Sequence, residues 1–156
     1  MSSSRAKAQT ALEVLFIAGI ILIGAAILLP GYMNTNTDTV VLMHVKNAAD
    51  NACSYLGTGV EVNDPAYSSL NAVIKEANYS SIQCKVSRTF IDSSTESSIN
   101  LNVTVIYSGP LEVSKVKNAI SGFIENWLES KGFSRVNGAL SYGGKTVSIT
   151  VKVVRA

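Results

Sequence analysis

An acidic residue in an apolar setting is the first feature of this chain that asks for a chemical reason. Glu13 lies near the start of an otherwise uncharged apolar run, Ala11 to Leu29, and Arg5 and Lys7 precede it. A carboxylate in hydrocarbon is costly, on the order of 2.5–3.5 kcal/mol at a bilayer centre and less near an end. Glu13 therefore either sits at the headgroup level or meets a cation. The other reactive side chains are few. Cys53 and Cys84 follow the apolar run and are either joined or two buried free thiols; joined, they tie a helical stretch to a strand and add about 3–4 kcal/mol in the chain-entropy account. Asn78-Tyr79-Ser80 and Asn102-Val103-Thr104 are N-glycosylation sequons, with Asn102 on the outer face of its strand by alternation. His44 is the only histidine, and it falls in a helical stretch as a packing or surface residue. No nucleophile is spaced with a base, no His/Cys cluster suits a metal, and Gly57-Thr58-Gly59 lacks the flanking strand and helix of a phosphate loop. Neither enzyme nor cofactor is expected.

The elements that carry these residues follow from patterning. The chain has 156 residues, room for one domain plus an anchor, with 47% hydrophobic and 15% charged residues. A net charge of +2 gives no argument for nucleic acid. A helix over 11–29 spans roughly 28 Å, close to the hydrocarbon core of a bilayer. No Lys or Arg recurs after Lys7 until Lys46, which puts the N-terminus in the cytoplasm and the remainder outside. A secretory signal peptide fits less well, because Pro30-Gly31-Tyr32 follows the apolar core where a small-residue cut site belongs.

Pro30 and Gly31 predict a kink or short break, and Asn34 to Asp38 are poor helix formers. A second helical stretch over 38–56 has Val41, Val45, Ala48, Ala49, Ala52 and Leu56 on one face. Beyond it, Asp64-Pro65 opens a helix to about Ala77, and strands are expected near 82–90 and 99–107. The first of these holds an odd Arg88, either inward or on a bulge. Pro110 opens a helix with Val116, Ile120, Phe123, Ile124, Trp127 and Leu128 in its apolar stripe, Trp127 belonging to the core. Two more strands, 135–142 and 146–155, meet at Gly143-Gly144. The expected class is α+β: a long hydrophobic N-terminal helix, kinked near Pro30, then an antiparallel four-stranded sheet with packed helices in the order α-β-β-α-β-β.

The run Lys7-Ala8-Gln9-Thr10-Ala11-Leu12-Glu13-Val14-Leu15 resembles the processing site of type IV pilin-like proteins with class III signal peptides, the archaeal group in particular. Gly24 to Tyr32, with its Pro-Gly-Tyr, is similar to the end of the apolar helix in bacterial type IV pilins. The likeness covers about residues 5–32. Ala8 stands where Gly is commoner, and Ala11 where the archaeal group often has Ser.

The resemblance implies a leader, residues 1–8, cut between Ala8 and Gln9 by a prepilin peptidase. A helix over 9–56 then remains, with 9–32 as membrane anchor and filament core and 38–56 backing the head, followed by an extracytoplasmic head over 57–156. It implies copies of the same chain as partners, an assembly platform and ATPase, and a passage from the cytoplasmic membrane to an extracellular type IV pilus-like filament, whether for adhesion, DNA uptake, motility or secretion. The Gln9 amine freed by cleavage and Glu13 of a neighbour are opposite charges in a low-dielectric core, suited to set register between subunits. Ala18-Gly19 and Ala25-Ala26, two turns apart, suit close helix approach. The alternative is a single-pass anchored ectodomain that binds a ligand and does not polymerise.

Overall fold

The computed structural model describes the backbone of residues 3–156 and the side chains of residues 12–28 and 36–156. Helix α1, Ser3–Thr58, runs through both helical stretches expected from the sequence. The break expected between Tyr32 and Asp38 is absent: the helix continues through those residues. A single proline removes one ladder hydrogen bond, and the low helix propensity of Asn and Thr is a weak preference that neighbouring turns override. The side chain of Pro30, and any kink at Pro30-Gly31, lie outside what the structure describes. The chain divides into two compact units, Met1–Asn36 and Thr37–Ala156.

The second unit begins with the C-terminal part of α1. Its inward face is the one its spacing foretold: Val41, Val45, Ala48, Ala49, Ala52 and Leu56 are fully buried. Asp64 accepts a hydrogen bond from the Ala66 N–H and starts a 3₁₀ turn, Pro65–Tyr67, which leads into α2, Ser68–Glu76. Leu70, Val73 and Ile74 of α2 enter the core. Strand β1, Gln83–Ser94, is longer than expected and pairs antiparallel with β2, Ser98–Ser108. A register shift between Val86 and Arg88 resolves the odd arginine in favour of the bulge. The extra residue restores Arg88 to the solvent side, which is the usual work of a bulge.

Helix α3, Val113–Ser130, follows, then β3, Ser134–Val136, β4, Ala139–Tyr142, and β5, Lys145–Arg155. The sheet is five-stranded and mixed, in the order β1-β2-β5-β4-β3, with β2 and β5 parallel. This corrects the expected antiparallel four-stranded sheet in two ways. The stretch 135–142 is two strands, because Asn137 and Gly138 both take positive φ (51° and 83°) in a two-residue hairpin turn. The second difference is the place of β5. The 4-residue β4 pairs with the start of one edge of that 11-residue strand, and its other edge pairs along nearly its whole length with the equally long β2. With α3 carrying the chain back between them, the two long strands run the same way.

One continuous core joins the inward side chains of β2 (Ile99, Leu101, Val103, Val105, Tyr107) and of β5 (Val147, Val151, Val153) to the three helices. α3 contributes Val116, Ile120, Phe123, Ile124 and Leu128. The Trp127 ring is half-buried against this core, with Phe123 at 5.7 Å between centroids and the Lys131 ammonium 4.9 Å from its own centroid. The Tyr107 hydroxyl is satisfied in the interior, accepting from the Leu111 N–H at 2.9 Å and donating to the Leu111 carbonyl.

Cys53 and Cys84 form a disulfide with their Cα atoms 4.8 Å apart, joining α1 to the start of β1 across 31 positions. A loop of that size stabilises by about 3–4 kcal/mol through loss of freedom in the unfolded chain. The double variant Cys53→Ser/Cys84→Ser is expected to lose that amount in urea unfolding of the full chain followed by Trp127 fluorescence. Added reductant should shift the wild-type curve toward the variant and leave the variant's curve unmoved.

Candidate functional site

The described part of the apolar run presents large hydrophobic side chains to its surroundings. Leu12, Leu15 and Leu28 are 72%, 76% and 74% exposed, and Phe16, Ile17 and Ile21 are exposed as well. Stepped by about 100° per residue, these six positions circle the helix. A helix apolar on every side is stable only when surrounded by apolar matter. A Cβ added at Gly19 or Gly24 meets no atom within 4 Å, so nothing inside the subunit requires a glycine at either place. Glu13 lies on the exposed helix surface in the same stretch.

Among the described residues, no helix is long and apolar enough to cross a membrane. The apolar run of the sequence, 11–29, extends at both ends into residues whose side chains are not described. The side chains of Lys7, Ala8 and Gln9, the expected processing site, also lie outside the described residues.

Where α1 enters the head, the fold builds an ionic contact that patterning missed. The Lys145 side chain is 3% exposed and donates to Asp38 Oδ1 at 2.7 Å and to Ser94 Oγ at 3.2 Å. Ser94 in turn donates to Asp38 Oδ2 at 2.6 Å. Three elements meet there: α1 through Asp38, the end of β1 through Ser94, and the start of β5 through Lys145. The adjacent Gly143-Gly144 turn lies so close to α1 that a Cβ on Gly143 would come within 2.9 Å of the Thr37 methyl. The sequence signal for Lys145 was its phase. It falls on the same face of β5 as Val147, Val151 and Val153, so its head group had to be inside and had to find an acid.

The Asp38 carboxyl is held below its ordinary value of 3.8. Burial alone pushes it up. The hydrogen bonds from Lys145 and Ser94, with the charge of Lys145, together outweigh that push.

The other residues singled out from the sequence are scattered over the head. His44 is half-buried, edge-on to the Phe133 ring at 5.9 Å and to Tyr142 at 6.3 Å. Asn78 is exposed in the turn after α2, and Asn102 is half-buried on β2. Ion pairs on the surface link α2 to α3 through Glu76 and Lys115, and α3 to β3 through Glu125, Glu129 and Arg135. Among the described residues, no group of three His, Cys, Asp or Glu side chains is placed to hold a metal ion. No family model, no curated protein and no solved structure matches the chain.

The depressed Asp38 carboxyl carries a signed pH dependence. Its contribution is fully present above the unfolded-chain value near 3.8 and is lost as the pH falls through the lower folded value. Asp38→Asn leaves the Lys145 ammonium buried without a counter-charge. It should cost roughly 2–3 kcal/mol at pH 7, below the full cost of breaking a wholly buried pair because water still reaches Asp38. Urea midpoints between pH 2 and 7 check both statements: part of the acid-side loss seen in the wild type should be absent from the variant.

Proposed function

We propose that the chain is a structural subunit of a type IV pilus-like surface filament. It is made with a short basic leader ahead of Gln9 and held in the cytoplasmic membrane by the apolar part of α1 with its head outside. A prepilin peptidase cuts it, and an assembly platform and its ATPase pack it with copies of itself through that helix. The observation that carries the reading is the apolar girdle of residues 12–28, exposed on all sides, joined to a unit that has a complete core of its own. Lipid satisfies such a girdle before assembly, and neighbouring helices satisfy it afterwards. Gly19 and Gly24 favour the second environment, since no atom of the subunit demands their lack of a side chain.

Within the filament, Glu13 of one subunit receives the new α-amine on Gln9 of a neighbour. Each charge is expensive in an apolar core without the other, so the pair penalises every axial offset that separates them. Cyclisation of Gln9 to pyroglutamate removes the amine and with it this means of fixing register.

Mass spectrometry of the chain isolated from cells tests the reading. A mature N-terminus at Gln9 supports it, whereas an intact Met1 or Ser2 start on a monomer favours a non-polymerising membrane-anchored binding domain. The variant Glu13→Gln should still be cut and stay in the membrane. Its yield of sheared filaments should fall about tenfold or more, the consequence of losing about 1.4 kcal/mol or more per subunit contact. Undiminished yield from that variant removes Glu13 from the register role.

A further inference from the structure

We infer that Asn78 is an N-glycosylation site and that Asn102, the other sequon, stays bare. The inference rests on the proposed function only in placing the head outside the cytoplasm, where lipid-linked sugars are transferred. From the sequence the two triplets are equivalent, with alternation slightly favouring Asn102. The folded backbone separates them.

Asn78 and Tyr79 both take left-handed conformations, φ 52° and 58°, at the end of α2. The turn is fixed by the Tyr79 N–H donating to the Ile74 carbonyl at 3.0 Å and the Ser80 N–H donating to the Ala77 carbonyl at 3.1 Å. It is backed by the end of α1. A Cβ on Gly59 would lie 2.9 Å from the Tyr79 carbonyl oxygen, and the Ser81 hydroxyl donates to the Gly57 carbonyl. Asn78, Tyr79 and Ser80 are all exposed, so the acceptor amide and the hydroxyl two residues on both lie open in a tight turn. An exposed turn is accessible to a modifying enzyme in a way that a central strand is not.

Asn102 has no such freedom. It lies on β2 with Phe90 of β1 on one side and Thr150 of β5 on the other, and both ladders hold its backbone. Thr104, the hydroxyl of that sequon, is likewise flanked by Arg88 and Lys152. Both residues are half-buried. Bringing the amide and the hydroxyl into one enzyme cleft would require β2 to leave the centre of the sheet.

The transfer uses a saccharide carried on a lipid phosphate. The Asn78 Nδ2 forms a bond to the anomeric carbon, and the bond from that carbon to the phosphate oxygen breaks. The lipid phosphate leaves with the electron pair, and one amide proton passes to a base of the transferase.

The full chain purified from the cells that make it tests the inference after reduction and tryptic digestion. Asn78 lies in the peptide 76–85 and Asn102 in the peptide 89–115. The expected result is a glycan mass on the first peptide in at least half of the chains and none on the second. Asn78→Gln and Ser80→Ala should abolish it, and Ser80→Thr should keep it. A bare Asn78 on chains that begin at Gln9 overturns the inference and leaves the filament reading intact, as does a glycan on Asn102. A glycan on Asn78 of chains that still begin at Met1 or Ser2 supports the inference while the filament reading falls. Bare Asn78 on such chains overturns both.

Discussion

The described apolar segment of α1 cannot be satisfied by the side chains it carries. Leucine, isoleucine and phenylalanine face outward around its whole circumference, and burying each is worth on the order of 1.5–3 kcal/mol. Water solvates such a surface poorly, and apolar surroundings suit it better. The rest of the structure answers a different need. It is a unit whose own core is closed, whose long helix is gripped by a disulfide at Cys53 and by an ionic cluster at Asp38, and whose sheet presents polar residues outward. Those two attachments lie about four helical turns apart along α1, so the helix is held at both ends of its buried face.

Much of this was legible because local rules and tertiary packing agree. The six residues from Val41 to Leu56 at helical spacing are all fully buried in the core, where Cys53 joins them, and the clean alternation from Ile99 to Tyr107 marks β2 as a strand with one face inside. The cysteine pair was legible as an option, and the fold turns it into a bond. The sequence reading failed where two signals competed. Asn137-Gly138 is a hairpin turn in its own right, yet the apolar residues on either side of it made a single strand plausible. The parallel pairing of β2 with β5 leaves no local mark at all, since alternation looks the same whichever way a neighbour runs.

The candidate site divides in the same manner. Glu13 stands out from composition alone, because one carboxylate among apolar residues is conspicuous without any geometry. Lys145 does not, because lysine after a glycine turn is ordinary at a surface. Its burial emerges only when strand phase is followed back to the first residue of β5, and its partner Asp38 is distant in the chain. The sequons show the reverse problem. Their motif is plain, but the difference between a projecting turn and a central strand belongs to the fold.

Placing β5 between β2 and β4 makes the sheet depend on a distant pairing. Last in chain order among the described elements, β5 occupies the middle of the sheet, and its longest partnership is with a strand on the far side of α3. Until Lys145 to Arg155 arrive, β1 and β2 form a hairpin with one unfilled edge, and the β3–β4 ribbon has nothing to join. Closing that long loop carries an entropic cost that the local β1–β2 and β3–β4 hairpins do not. The integrity of the sheet thus hangs on its C-terminal strand, whose removal would leave β2 and β4 each with an open edge.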